Sequence, residues 1–453
     1  MTTTRRARHI ALQAAGLLVA LGAVQACKDT LVPDLNNPSL EGIISNPTRA
    51  QVQTMARGIL DGNRTAQGGF IRDLEIIGRD AYNLDAADPR WVTELLINLD
   101  PGGFGGRHWA DRYRNVKGAD IMITSVGTSG SLTAAEKSGA VGFAQTFKAL
   151  DLLAVEESHD TAGTAADAGA TTAELTPILC RDNALLRISA LLDSAKANLQ
   201  AGGAEFSFTL PGGFTGFDTP ATFLQFNRAI KARAEIYLGP SGAAHYTNAL
   251  AALGESFVDT TKSLDLGAYH LYSLAAGDQS NPLYQDPATT NFRAHPSVLD
   301  SAEAGDQRVA RKTTIGAPKT YQGLTSDIVF TVYSSPTAPI PIVRNEELVL
   351  LRAQANLGLN NLAAAMRDIN YVRVHSAGLA PKTTLTTATQ VRNQLLHEKR
   401  YSLLWESGAR WVDMRLYGLL SALPRDLPSH KVHPNFPISQ DEVLARGGSV
   451  HCQ

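Results

Sequence analysis

The chain has 453 residues, of which 44% are hydrophobic and 19% are charged, with 41 lysines and arginines against 43 aspartates and glutamates. These values are typical of a globular protein with a large core, and they exclude a disordered tail or a collagen-like fibre. A formal charge of −2 argues against nucleic acid as a partner, and three cysteines exclude a disulfide-rich scaffold and most zinc modules.

The start of the chain, residues 1–26, has the pattern of an export signal. Three arginines occur in the first eight residues, and residues 10–26 carry no charge and end in small side chains. This pattern predicts a cleaved signal peptide rather than a membrane-spanning helix. Val24-Gln25-Ala26-Cys27 resembles a bacterial lipobox, so we expect lipidation at Cys27 and a mature domain of residues 27–453. An ordinary signal peptide followed by a chance cysteine is the alternative.

Along most of the mature chain, apolar residues recur at helical spacing, which predicts a mainly α fold. Residues 345–358 and 362–374 form a predicted helix pair with a break at 359–361, and residues 222–257 contain a similar pair. Each pair has about the length of a tetratricopeptide repeat, so we expect the pairs to stack into a superhelical scaffold. Further helical stripes lie at residues 109–123, 143–154, 185–199 and 226–238.

Between these helices lie stretches without clear periodicity. Residues 160–178 have the composition of an exposed loop, and residues 201–220 form a connection rich in glycine and phenylalanine. Residues 61–106 and 258–342 are predicted to be long irregular regions, with the best strand candidate at 327–332. Because long irregular regions in a compact protein usually carry function, we expect ligand-binding insertions there.

The two cysteines that remain after lipidation are Cys180 and Cys452. A disulfide between them is possible outside the cytoplasm. Because the sequence gives no distance between them, we expect two separate thiols and keep the disulfide as the alternative.

Motifs for metal or phosphate chemistry are weak throughout the chain. His430 and His433 supply two metal ligands at most, and residues 85–88 lack the spacing of an EF-hand loop. The glycines of residues 102–106 lack the lysine and hydroxyl residue of a P-loop. The sequence therefore predicts no metal site, no cofactor and no catalytic residue.

Five segments together resemble one known family. The first is a tryptophan-x-x-x-tyrosine helix that starts at Trp109, and the second contains Phe223-Leu224-Gln225-Phe226-Asn227-Arg228-Ala229. The third starts at Arg344-Asn345-Glu346-Glu347-Leu348. The fourth runs from His397-Glu398-Lys399-Arg400-Tyr401 through Trp405-Glu406 to Arg410-Trp411-Val412-Asp413, and the fifth is Phe436-Pro437-Ile438. Their order resembles the SusD/RagB family of outer-membrane nutrient-binding lipoproteins.

This resemblance implies a tetratricopeptide-like fold in one domain, with an N-terminal part at 27–215 and a C-terminal part at 216–453. It implies a non-enzymatic protein that is lipid-anchored in the cell outer membrane and exposed at the surface. The implied partner is a SusC-like TonB-dependent transporter, and the implied cargo is a glycan or oligosaccharide. An exported α-helical glycoside hydrolase and a tetratricopeptide-like envelope scaffold are the alternatives.

Candidate ligand-binding residues were chosen because sugars bind to flat apolar surfaces and to planar polar groups that bridge hydroxyls. The segment between residues 79 and 91 combines aromatic, acidic and amide side chains, and the irregular central region contains a second group. The candidates are Asp80, Tyr82, Asn83, Asp85 and Trp91 in the first segment, and Tyr284, Asn291 and Phe292 in the second.

A charged cluster near the C-terminus has two possible interpretations. Paired carboxylates could act as the acid and base of a glycosidase. The pattern favours a structural role, in which charges tie one helix to its neighbours and Glu406 pairs with Arg410 four residues later. Trp405 and Trp411 are then expected in the core. The cluster consists of Glu398, Arg400, Glu406, Arg410, Asp413 and Arg415.

Overall fold

The fold is known from a computed structural model that describes residues 45–169 and 175–453. The predicted signal peptide and the predicted lipidation site Cys27 lie outside the described residues. Residues Asn46–Gln453 form one compact unit. Among the described residues, no helix is both long enough and apolar enough to cross a membrane.

Helices dominate the described part of the chain, as the periodicity predicted. Several begin at residues that cap a helix: Thr48 accepts a hydrogen bond from the Gln51 amide, and Thr219 precedes Pro220 at the first helical position. The α-helices are α1 (Arg49–Ile77), α2 (Arg90–Val92), α3 (Ala110–Thr128), α4 (Ala134–His159), α5 (Arg181–Gln200), α6 (Pro220–Leu238), α7 (Ala243–Gly254), α8 (Ser297–Asp300), α9 (Gln307–Lys312), α10 (Asn345–Gly358), α11 (Leu362–His375), α12 (Ala388–Ser402), α13 (Ala409–Leu416) and α14 (Gln440–Ala445).

The long helices pack side by side in nearly the order of the chain. Helix α1 packs on α3, and contacts then link α3 to α4, α4 to α5, α5 to α6, and α6 to α7. Helix α7 packs on α10, which also contacts α11 and α12. The predicted pair at 345–358 and 362–374 is confirmed as α10 and α11. This succession of packed helix pairs is the tetratricopeptide-like scaffold that the sequence predicted.

Short antiparallel strand pairs connect the helices. The candidate strand at 327–332 overlaps β7, which pairs with the unpredicted β6 in a hairpin. The other pairs are β1 with β5, β2 with β3, and β4 with β8. The strands are β1 (Ala81–Asn83), β2 (Thr164–Ala165), β3 (Ile178–Leu179), β4 (Gly267–His270), β5 (Phe292–Ala294), β6 (Thr313–Tyr321), β7 (Leu324–Phe330) and β8 (Ile340–Arg344).

Two expectations about the connecting regions need correction, and a third region has a packing role that its composition did not predict. Residues 61–77 belong to helix α1 and not to an irregular stretch. Residues 163–165, predicted as exposed loop, are buried because β2 pairs with β3. The connection at 201–220 packs into the core through its phenylalanines: the Phe208 ring lies 4.9 Å from that of Phe143.

Cys180 and Cys452 form a disulfide, so the expectation of separate thiols was wrong. The C-terminal residue explains why they meet. The Gln453 amide donates to the carbonyl oxygen of Ile178 at 2.8 Å, and the Cys180 amide donates to that of Gln453 at 2.9 Å. The end of the chain therefore runs beside β3 and the start of α5. A sequence separation of 272 residues gives no sign of this return.

Candidate ligand-binding site

The first candidate segment follows directly from the end of helix α1. Gly78 ends the helix, and Arg79 adopts a left-handed φ of 61°, which turns the chain into β1. The Arg79 guanidinium is buried and donates to the carbonyl oxygens of Lys431, at 2.7 Å, and Pro424, at 3.1 Å. These bonds fix the turn and therefore the position of β1.

Strand pairing brings the two candidate segments together. In the β1–β5 pair, Asn83 lies opposite Phe292 and Tyr82 lies opposite Arg293. The Leu84 amide extends the pairing by donating to the carbonyl oxygen of Asn291 at 2.9 Å. Residues chosen about 200 positions apart in the sequence therefore share one small sheet.

Asp80 lies on the inner side of this sheet and is 1% exposed. Its Oδ1 accepts from Arg400 Nε at 2.8 Å and also from Arg410. Its backbone carbonyl accepts from the His295 amide. The carboxylate of Asp80 therefore ties helices α12 and α13 to the start of β1. Its predicted contact with ligand is untested and stays a prediction.

The next three candidates are also buried. Tyr82 packs against the ring of His295, and burial, reinforced by the Asp426 carboxylate, raises the pKa of its hydroxyl. The Phe292 ring lies 5.3 Å from that of Trp405. Asn83 Oδ1 has no hydrogen-bond partner among the described residues. These side chains face the protein interior, and their role in ligand binding stays a prediction.

Four candidates are partly exposed to solvent: Asp85, Trp91, Tyr284 and Asn291. Asp85 Oδ1 accepts from the Ala87 amide at 3.0 Å, which closes a tight turn at the surface. Asn291 accepts a hydrogen bond from the Lys319 ammonium. Asp85, Asn291 and Trp91 therefore offer carboxylate, amide and aromatic groups beside the small sheet.

Trp91 lies among groups that the sequence analysis did not select. The guanidinium carbons of Arg72 and Arg107 lie 4.2 and 5.0 Å from the centre of its ring, within the range of cation–π attraction. The Phe104 ring meets it edge to face at 4.7 Å. No local pattern in the sequence links these residues, because Arg72 belongs to α1 whereas Phe104 and Arg107 belong to a later turn.

A buried carboxylate fixes both guanidinium groups. Asp73 Oδ1 lies 2.9 Å from Arg72 Nε, and Asp73 Oδ2 lies 3.1 Å from Arg107 Nη1. Burial acts to raise the pKa of Asp73, but the charge of Arg72, the hydrogen bond from His108 and the charge of Arg107 outweigh it and hold the pKa well below its usual range. Asp73 is therefore ionised, and it holds the two cations against Trp91.

No protein-family model and no curated protein matches this sequence. Surface glycan-binding protein A from Bacteroides uniformis matches with a TM-score of 0.70 and 15% identity, over 89% of this chain and 99% of that protein. A SusD superfamily protein from Parabacteroides distasonis matches with a TM-score of 0.65 and 15% identity, over 87% and 97%. The chain has the SusD-superfamily fold.

A third neighbour is surface glycan-binding protein A from Bacteroides thetaiotaomicron, solved in complex with laminarihexaose. It matches the SusD-like chain with a TM-score of 0.67 and 14% identity, over 88% of this chain and 98% of that protein. Identities this low establish the shared fold and do not transfer a ligand. The fold expected from the resemblance to the SusD/RagB family is confirmed.

In this SusD-like chain, the charged C-terminal cluster makes buried ion pairs between elements. Glu398 lies 2.7 Å from Arg308 Nη1, and Asp413 lies 2.7 Å from Lys399 Nζ. The expected pair of Glu406 with Arg410 is absent among the described contacts, because Arg410 binds Asp80 instead. Glu406 pairs with Lys312 at 2.6 Å and with Arg344 at 2.8 Å. Trp405 and Trp411 are buried, as expected.

The cavity beside Glu406 is too small for a sugar. It measures about 40 Å³ and is also lined by Arg344, Glu347 and Arg233. A space of this size holds one to a few water molecules. Glu406 is the only carboxylate of the cluster that lines this cavity, so the cavity does not hold the cluster's carboxylates as a glycosidase pair.

One group of described residues, Glu303, His397 and Glu398, has the proximity of a metal site, with ligand atoms within 4.8 Å of one another. Both carboxylates already bind Arg373, at 2.5 and 3.1 Å, and Glu303 also binds Lys382. Because cations already neutralise these carboxylates, a metal ion would meet repulsion there, and the contacts favour a structural role.

Proposed function

We propose that this SusD-like chain is a surface lipoprotein of the outer membrane that binds a glycan or oligosaccharide and delivers it to a SusC-like TonB-dependent transporter. The observation that carries the proposal is a fold shared over almost the whole length of proteins named for surface glycan binding, one of them solved with laminarihexaose. Binding and delivery of a glycan require no catalytic acid or base. The carboxylates of the C-terminal cluster agree with this, because they are held in ion pairs.

The partly exposed candidates supply the groups that a glycan requires. Trp91 and Tyr284 offer apolar ring surface, while Asp85 and Asn291 offer polar groups that can bridge hydroxyls. Ligand sites commonly combine aromatic surface with a few placed polar groups. We therefore place the glycan at the solvent side of the β1–β5 sheet.

The proposed location has support from the disulfide. Disulfides persist outside the reducing cytoplasm, and Cys180 and Cys452 are paired. The predicted export signal at 1–26 and the predicted lipidation of Cys27 would lead the chain to the same compartment. Two or three acyl chains would then provide a durable membrane anchor.

A glycan panel tests the binding half of the proposal. Calorimetric titration of the mature chain with neutral oligosaccharides, laminarihexaose among them, is expected to find a ligand. Trp91→Ala should then weaken binding by about tenfold or more, as loss of a buried aromatic contact does at other binding sites. The control is Tyr371→Ala, a partly buried tyrosine on α11. Binding that is unchanged by Trp91→Ala would contradict the site, and no binding to any glycan would contradict the function.

Purification from native membranes tests the delivery half. A C-terminal tag on a flexible linker should recover a TonB-dependent barrel in a stoichiometric amount from detergent-solubilised outer membrane. Cys27→Ser should release the protein from the membrane fraction. Recovery without a barrel, or fractionation with the periplasm or inner membrane, would rule out the proposed transport role.

A further inference from the structure

A second cleft, of about 500 Å³, lies along the first half of helix α1. Its walls come from residues 57–64 of α1, from the connection at 209–214, and from β4 with the residues that follow it, 269–273. Arg64 is 13 residues before the end of α1, about 20 Å along the helix axis. The lining shares no residue with the candidates described above, so this is a separate cleft.

The cleft is a built structure held by hydrogen bonds. Arg64 Nη1 donates to the carbonyl oxygen of Leu271 at 2.8 Å, and Arg64 Nη2 lies 2.8 Å from Asp278 Oδ1. His270 Nε2 lies 2.9 Å from Asn63 Oδ1. The contacts with His270 and Leu271 tie the end of β4 to α1. The cleft therefore keeps a defined width without a ligand.

Gly213 sets how closely the third wall approaches. A Cβ atom there would lie 2.0 Å from the carbonyl oxygen of Tyr269, a distance that real atoms do not reach. Only glycine lets the connection at 209–214 run this close to β4. The close approach completes the cleft opposite helix α1.

The lining combines apolar and ring surface with balanced charge. Leu271 is 41% exposed, and Tyr269 is partly exposed beside it. The lining contains two arginines, Arg57 and Arg64, and two aspartates, Asp61 and Asp278, so its charged groups sum to zero. Arg64 contacts both aspartates, at 3.2 and 2.8 Å. A balanced site of this kind does not select for an anion or a cation. Its planar guanidinium and carboxylate groups can each form two hydrogen bonds to neighbouring hydroxyls of a sugar ring.

We propose that this cleft is a second binding site for a neutral oligosaccharide, with a sugar ring against Leu271 and Tyr269 and its hydroxyls at the charged rim. The inference rests on the proposed function, because the same class of glycan would occupy both sites. Two sites beside the same helix would let a single long glycan chain, or two short ones, bind at once.

Hydrogen exchange locates the site. The mature chain is compared with and without saturating laminarihexaose, maltohexaose or cellohexaose. Slower exchange of the amides at 57–64 and 269–273 is the expected result. Protection confined to residues 81–91 and 284–292 would overturn the second site while the proposed function stands. Absence of protection and of binding with every hexaose would overturn both.

Two variants test the contacts. Leu271→Ala is expected to weaken binding at this cleft by about three- to tenfold, because apolar contact area is lost. Leu274→Ala is the matched control, since Leu274 is 69% exposed three residues later but does not line the cleft. Equal affinities for the two variants would overturn the proposal.

Discussion

At the scale of single residues, the candidate site divides into residues that build the sheet and residues that face solvent. Composition marks the segment as a candidate, because aromatic and acidic residues concentrate in it. Composition could not show which of its side chains are buried, because burial in a three-residue strand depends on partners more than 200 residues away. Asp80 has the residue type of a sugar ligand, yet it binds two arginines beneath the sheet.

The substitution Asp80→Ala distinguishes a structural role of Asp80 from a role in ligand binding. The change leaves Arg400 and Arg410 buried without their carboxylate, and loss of one partner of a buried ion pair typically costs about 3–5 kcal/mol. We expect the urea midpoint of unfolding to fall by a corresponding amount. Asp88→Ala is the control, since its partner Arg90 is exposed, and it should change stability little. Normal stability with lost glycan binding would instead assign Asp80 to the ligand.

At the scale of elements, most helices could be predicted because their apolar spacing is local information. Helix α10 has the predicted bounds, and α11 ends one residue beyond them. Only strand β7 of the β6–β7 hairpin was predicted. Strand β6 was not, because most of its residues are exposed and buried and exposed side chains do not alternate along it. Helix α1 was missed over residues 61–77 because its glycines suggested an irregular stretch. In the structure, these glycines allow neighbours to approach: a Cβ at Gly68 would lie 2.2 Å from Pro282 Cγ.

Two glycines of α1 provide a matched test of this explanation. Gly58→Ala meets nothing within 4 Å, so it should stabilise the protein by about 0.5–1 kcal/mol through helix propensity. Gly68→Ala gains the same propensity but must displace Pro282, and overpacking of this kind costs about 1–3 kcal/mol. Thermal unfolding should show a higher Tm for the first variant and a lower one for the second. A higher Tm for both would mean that the contact with Pro282 is not tight.

At the scale of the whole molecule, the fold is stabilised by many charged and titratable groups buried away from water. Burial lowers the pKa of His270 to about 3 and raises the pKa of Glu156 to about 8. For Glu156, Asp160 adds to the rise, while Arg415 and Arg181 oppose it. These positions could not be predicted from sequence, because each burial results from packing between several helices.

These two shifts limit stability from opposite sides. In the unfolded chain the pKa of a histidine is about 6.5 and that of a glutamate is about 4.3. As pH falls below 6.5, His270 takes up a proton in the unfolded state but stays neutral in the folded state. The free energy of unfolding therefore decreases as the pH is lowered. As pH rises above 4.3, the unfolded state releases a proton that folded Glu156 keeps until about pH 8, so stability decreases toward alkali.

Urea unfolding between pH 4 and 9 should therefore give a free energy of unfolding with its maximum at intermediate pH. Each group contributes a slope of at most about 1.4 kcal/mol per pH unit. Between about pH 4.3 and 6.5 the two slopes oppose each other, so the parent curve should be flat there. Glu156→Gln should remove the fall in stability between about pH 6.5 and 8 and extend the acid-side rise up to about pH 6.5. His270→Gln should remove the acid-side rise and extend the fall in stability down to about pH 4.3. His375→Gln, at an exposed position on α11, is the control and should change neither limb. Slopes that are identical in all three variants would show that neither group is perturbed by the fold, and that the acid and alkaline limits come from the buried ion pairs instead.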